Sequence, residues 1–262
     1  MSTEKSLLTW EIVKDKVDPV LEQKSDTLVV PVGVDDSGNV HTVQLTDGDC
    51  MQHMCIIGRV GSGRTNTLHW ILAALQRSYR NQIIINYIDG RDCEVKTWID
   101  KDGDPMFYHP GVVRSVEDYA SMYDVLTELH ARMFDKGSRE LQEVIVFDDV
   151  DYLVRAFTHR DTALLQDILR LAPSRRVHII YASQRFSDPL LLSGRVGNLK
   201  DWSCVCITKA SEQLADILQC SDMAAKQTRK YGDLVVKNNS MLELLHVPLI
   251  TKQDILKGVV YV

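Results

Sequence analysis

The chain has 262 residues, 45% of them hydrophobic and 25% charged, with a net charge of −6. It is long enough for one large domain, or one domain with an appendage. No apolar run nears the ~20 residues that cross a bilayer and Met1–Lys5 lacks a signal-peptide core, so a soluble, cytoplasmic protein is expected; the acidic balance is not the signature of a broadly basic nucleic-acid surface.

Residues 6–23 carry apolar positions (Leu7, Leu8, Trp10, Ile12, Val13, Val17, Val20, Leu21) at irregular helical spacing, which predicts one or two N-terminal helices and a first segment over 1–26. Two apolar runs, 27–34 and 40–45, flank Asp35-Asp36-Ser37-Gly38-Asn39 and read as a hairpin. Met54-Cys55-Ile56-Ile57 is a buried strand. Leu68, Ile71, Leu72 and Leu75 then recur at helical spacing. A strand over 82–89, a helix to about Phe134, a strand ending in Asp148-Asp149, a helix around 164–169 and a strand over 177–184 follow. Residues 202–208 read as a strand, 211–218 as a helix, and 231–237 with 242–247 as a closing hairpin. Cys55, Cys204 and Cys206 lie in apolar runs and are expected to be reduced core residues. The histidines show no metal-ligand spacing, and zinc is not expected.

Strands apolar throughout, alternating with helices, predict an α/β fold with a mainly parallel sheet covered by helices on both faces. Ligands of such sheets sit beyond the carboxyl ends of the strands, where the polar tips of these strands converge.

Between the strand at 54–57 and its helix lies Gly58-Arg59-Val60-Gly61-Ser62-Gly63-Arg64-Thr65. It fills the phosphate-binding loop pattern G-x-x-x-x-G-K-[ST] except that Arg64 replaces lysine; Asn66 follows in the helix. The pattern works through main chain. Glycines let successive N–H groups turn inward as an anion nest, and the following helix points its positive end at the same place. In P-loop NTPases the loop threonine and an aspartate at the end of a hydrophobic strand hold Mg²⁺; Thr65 and Asp148 fit those roles. Asp149 stands where a carboxylate would polarise the attacking water, and Gln184 where a polar side chain would sense the γ-phosphate. Asp149 is one methylene shorter than glutamate, and a displacement of about 1 Å can cost on the order of 10²-fold in rate. Arg64 brings a wide planar fork where lysine brings a compact charge. Both changes favour slow turnover, or binding without turnover. Arg175, Arg176 and Arg185 lie near Gln184 in sequence, as candidates for a neighbouring subunit's site or as solvated charge.

These residues resemble the FtsK/SpoIIIE superfamily of ring-forming motor ATPases, which includes the EssC/EccC ATPases of type VII secretion. The resemblance runs from about 27 to 237, through Val30–Gly38 ("P-x-G-x-D-x-x-G"), His53–Gly58 ("PHLLIAG"), Val146–Asp149, Val177–Arg185 ("GIHLILATQRP") and Gly232-Asp233-Leu234 ("GDML"). It implies a RecA-like P-loop NTPase domain over 27–262, ATP with Mg²⁺, a homo-oligomeric ring or a tandem partner ATPase domain, and DNA or secreted protein as cargo. Membrane attachment would come only through an anchor or partner. The family's "N-x-x-x-R" is here Asn198 to Trp202, without its arginine; Arg195 is a possible stand-in. Two other readings stand beside the motor: a degenerate, non-hydrolysing module that regulates a partner ATPase, and a small-molecule phosphotransferase.

Overall fold

The computed structural model describes residues 9–17, 28–45, 51–79, 82–91, 94–99, 102, 113–115, 122–134, 141–149, 158–184, 202–209, 211–227, 232–238 and 241–255. Its centre is one ten-stranded sheet in the order β2-β1-β10-β9-β8-β3-β7-β6-β4-β5. The strands are β1 Leu28–Val34, β2 Val40–Leu45, β3 Met51–Ile57, β4 Ile83–Asp89, β5 Val113–Ser115, β6 Gln142–Asp148, β7 Val177–Ser183, β8 Trp202–Ile207, β9 Asp233–Asn238 and β10 Met241–His246. The helices are α1 Trp10–Val13, α2 Arg64–Tyr79, α3 Met122–Phe134, α4 His159–Leu171, α5 Glu212–Ile217 and α6 Ser221–Ala225. No helix among the described residues is long and apolar enough to cross a membrane.

From β8 to β5 every neighbouring pair is parallel; β9, β10, β1 and β2 add an antiparallel wing. Alternation along the strands divides the core in two. Met54, Ile56, Val144, Val146, Ile180 and Ala182 face α2 on one side. Cys55, Ile57, Ile145, Phe147, Ile179 and Tyr181 face α3, α4 and α5 on the other. Each fully buried Leu or Ile contributes about 1.5–3 kcal/mol relative to an exposed one, so both layers are needed to hold the sheet flat against its helices. Helix α4 begins at Thr158, whose side chain and that of Asp161 form a reciprocal capping box.

The hairpin β1–β2 precedes β3 in sequence but docks at the far edge of the sheet, through a single register pair, Val34 with His246. His246 lies between Asp233 (3.1 Å) and Asp36 (3.0 Å), and His41 between Asp35 and Glu243, fastening the hairpin's turn to the wing.

At the N-terminus, α1 passes into a 3-10 turn at Lys14–Lys16; the rest of the expected helical segment lies outside the described residues. Val13 and Val17 are fully buried in the same core cluster as α2 and β1, so that core draws on both sides of the expected 26/27 boundary. Cys55, Cys204, Cys206 and Cys220 are buried and form no disulfide.

His53 ties β3 to β7 and α4. It lies where the β3–β8 register shifts, between Met51 and Met54; its Nδ1 accepts from Ile179 N of β7 (3.1 Å) and its Nε2 contacts Leu169 O of α4 (2.7 Å). An amide can only donate and a carbonyl only accept, so the ring is the neutral Nε2–H tautomer.

Candidate functional site

The phosphate loop is held at its base by the two strands flanking β3. Gly58 N donates to Ser183 O of β7 (3.1 Å), and Thr208 N, just past β8, donates to Ile57 O (3.0 Å). A Cβ at Gly58 would fall inside the radius of Thr208 Oγ1 and 2.5 Å from Ser62 Oγ; only glycine fits. Those two hydroxyls bond each other at 2.5 Å. Gly61 and Gly63 have φ of 73° and 95°, the left-handed conformations that turn consecutive N–H groups to one side. Helix α2 then starts at Arg64 with no acidic side chain in its first turn, so nothing of its own neutralises its positive end.

Arg64 folds back over the loop. Its Nη1 donates to Gly58 O at 3.0 Å, and its Nη2 forms an ion pair with Oδ1 of Asp149. The side chain is 7% exposed. Its Nε is buried without an acceptor among the described residues, a donor that an incoming anion can satisfy.

Asp149 has φ of 47°, which turns its side chain out of the β6 direction towards the loop. Arg91 Nη1 lies 3.7 Å from its Oδ2, and Gln184 Nε2 donates to its Oδ1 at 3.5 Å. Asp148 sits behind, 1% exposed. Tyr87 Oη donates to its Oδ2 (2.6 Å) and Asp149 N to its Oδ1 (2.8 Å). Burial pushes its carboxyl up to about 6, with the Tyr87 hydrogen bond opposing that rise and the Asp149 charge adding to it. Burial also raises the Tyr87 phenol well above its ordinary value.

The expected residues are therefore placed as follows. Gly58–Gly63 form one loop, and Arg64 and Thr65 open α2; Arg64 and Gln184 both meet Asp149, and Asp148 lies immediately behind it. In space β7 lies between β3 and β6, which brings Gln184 between the loop and the carboxylates. Arg59, Val60 and Gly61 are exposed at the loop's tip. Asn66 is engaged elsewhere: its amide donates to Pro248 O (2.9 Å) and accepts from Ile250 N (3.0 Å). Arg175 and Arg176, neighbours of Gln184 in sequence, are not neighbours in space. They precede β7, so that whole strand, about 20 Å at the rise of an extended chain, separates them from the site. Arg185, Arg195 and Asn198 lie outside the described residues. Two contributors were missed from the sequence: Thr208 and Arg91. The signal for Arg91 was its place just past the polar tip of a parallel strand; Thr208 gave none beyond ending one.

The loop fits the phosphates of a nucleotide: it offers an N–H nest, and Arg64 an unsatisfied buried donor. For an accompanying magnesium ion Thr65 would offer a hydroxyl and Asp148 a carboxylate, whose oxygens here accept from Tyr87 and Asp149 N. No three His, Cys, Asp or Glu side chains among the described residues form a metal cage, so phosphate and water would complete the shell of such an ion.

No protein-family model matches the sequence, and no curated protein sequence matches it. Solved structures do. The cytoplasmic domain of the Thermomonospora curvata type VII secretion ATPase EccC is 20% identical with a TM-score of 0.61 over 94% of this chain and 32% of that one. The fold is that of the FtsK/SpoIIIE-type ATPases. The pCW3 conjugation coupling protein TcpA, solved with ATPγS, is 15% identical with a TM-score of 0.59, covering 96% of this chain and 73% of that one. The genome-packaging NTPase B204 of Sulfolobus turreted icosahedral virus 2, in complex with ATPγS, is 14% identical with a TM-score of 0.52, covering 78% of this chain and all of that one. This chain spans about a third of the EccC chain's length. The RecA-like P-loop architecture expected from the sequence is thus the one observed.

Proposed function

We propose that the protein is an ATP-binding motor domain of the FtsK/SpoIIIE type, in which Mg-ATP binding and slow hydrolysis drive movement of DNA or a secreted protein. In this reading residues 27–262 are the ATPase domain and 1–26 its N-terminal helical segment. The observation that carries it is the loop itself: glycines at positive φ, an uncompensated helix start, and Arg64 Nε buried without an acceptor.

Gly58–Thr65 would cradle the phosphates, Thr65 and Asp148 would hold magnesium, and Asn66 would act at one remove, by fixing residues 248–250 against α2. A bound magnesium ion supplies charge neutralisation on the phosphate oxygens. Asp149 and Gln184 face the region of the terminal phosphate. Asp149 has one guanidinium at each carboxylate oxygen, which occupies the oxygens that would hold an attacking water and fits slow turnover. The cargo classes come from the similar structures, which act in secretion, conjugation and genome packaging. A ring of copies or a tandem partner domain, working in the cytoplasm or at a membrane through partners, completes the proposal.

Calorimetric titration of the full chain with Mg-ATPγS tests it. Binding is expected, and Thr65→Ala should weaken it roughly tenfold or more, the worth of a contact to a charged group. Equal binding by wild type and Thr65→Ala would remove the site assignment. Phosphate release with and without duplex DNA tests the motor half.

The Arg64–Asp149 pair also favours a second reading, a module that binds nucleotide or a partner without hydrolysing. It predicts no phosphate release from the parent, and activity only after Arg64→Lys with Asp149→Glu.

A further inference from the structure

The loop after β4 brings a second arginine to Asp149 that the phosphate-loop pattern does not name. Its position is fixed by the main chain. Asp89, fully buried, accepts from Arg91 N (2.8 Å) and Glu94 N (2.6 Å), and Gly90 N donates to Asp148 O (3.0 Å). The Arg91 guanidinium therefore leaves an anchored turn and reaches across the end of β6 to Asp149 Oδ2. Arg64 comes to the other oxygen from the opposite side. One carboxylate thus lies between two guanidinium groups, and the trio keeps a net positive charge at the mouth of an anion nest.

We propose that Asp149 is the resident counter-ion of the phosphate pocket, exchanged for nucleotide phosphate on binding, and that Arg91 is a phosphate-binding residue selective for the terminal phosphate of a nucleoside triphosphate. The inference rests on the nucleotide reading above and specifies how that site is filled. Guanidinium forks match phosphate oxygens as they match carboxylates, so a polyphosphate can take over the contacts that Asp149 makes. Selectivity follows from topology. The loop and the start of α2 hold the inner phosphates over β3. Arg91 comes from β4, beyond β7 and β6 in the sheet order, and meets the phosphate chain at its outer end. Arg64, rooted in the loop, serves di- and triphosphates alike. Before ligand arrives, Asp149 competes for both arginines and so restrains affinity.

The experiment is calorimetry of the full chain with Mg-ATPγS and Mg-ADP, on wild type, Asp149→Asn, Arg91→Ala and Arg91→Lys, with thermal melting of each. Asparagine tolerates the positive φ at 149, so Asp149→Asn keeps the backbone and removes only the charge. It should bind Mg-ATPγS about tenfold tighter than wild type, the scale of one charge-assisted contact no longer competed for. Arg91→Ala should lose roughly tenfold for Mg-ATPγS with little change for Mg-ADP, and Arg91→Lys should recover part of that loss. Asp149→Asn binding no tighter than wild type would overturn the counter-ion role while leaving nucleotide binding intact. An equal loss for both nucleotides in Arg91→Ala would overturn the selectivity. Absence of binding in all four proteins would bring down this inference together with the nucleotide reading, whereas binding by Asp149→Asn alone would support both.

Discussion

The Tyr87 phenol donates a 2.6 Å hydrogen bond to Oδ2 of Asp148, two neighbouring strands joining a buried hydroxyl to a buried carboxyl. The bond favours the ionised carboxylate, and burial outweighs it, leaving the group at about 6 against an ordinary 3.8.

The contribution of Asp148 to the stability of the metal-free protein should therefore fall as pH rises from about 4 to about 6. In that window the unfolded chain has lost this proton and the folded chain keeps it, so unfolding is favoured by each step upward. The effect is on the order of 3 kcal/mol. Asp148→Asn should flatten that slope and raise the melting temperature at pH 7.5 in the presence of a chelator. Melting curves across pH 4–8 check it; an unchanged slope would show that burial is not what sets this group.

Gly58→Ala should destabilise the domain by about 1–3 kcal/mol, the range for overpacking a tight site, because the new methyl collides with Thr208 Oγ1. Adding Thr208→Ala should restore part of the loss, since it removes the atom struck. Urea denaturation of the single and double mutants gives the comparison. Additive losses would mean that the two residues do not touch.

His53→Ala should cost about 2–4 kcal/mol, since it strands a buried amide and a buried carbonyl at once. His53→Gln, which can both accept and donate, should cost less. Hydrogen exchange at Ile179 provides the local readout: its amide should lose protection in the alanine variant beyond what global unfolding explains.

Asn66→Ala should release residues 248–250 from α2. Two hydrogen bonds of 2.9 and 3.0 Å disappear, and a loss of about 1–2 kcal/mol is expected. Faster exchange at Ile250, with Ile179 unaffected, would separate this from general loosening.

Much of the fold was legible because its signals are local. Strand lengths, the apolar spacing of α2 and the glycine loop are each written within a dozen residues. The convergence of Arg64, Asp149 and Gln184 was legible too, because strand carboxyl ends in a parallel sheet share one edge. What escaped was of two kinds. β5 has three residues, too few for a period to declare itself. The docking of the β1–β2 hairpin at the far edge, the Gly58–Thr208 contact across 150 positions and the reach of Arg91 depend on strand order, which no local pattern encodes. Sequence proximity misled in the same way at Arg175 and Arg176, where a strand intervenes.

The division of one set of strands between two cores also limits how the gene can change in length. Because Met54 and Ile56 serve one face while Cys55 and Ile57 serve the other, adding or deleting one codon inside β3 would exchange the two faces and rotate the glycine loop away from its helix. Two codons would preserve the faces but shift the loop along the sheet by a full repeat. Length changes are therefore confined to segments outside the strands, and even the exposed Asp36-Ser37 turn would tolerate them poorly, since Asp36 holds His246 there.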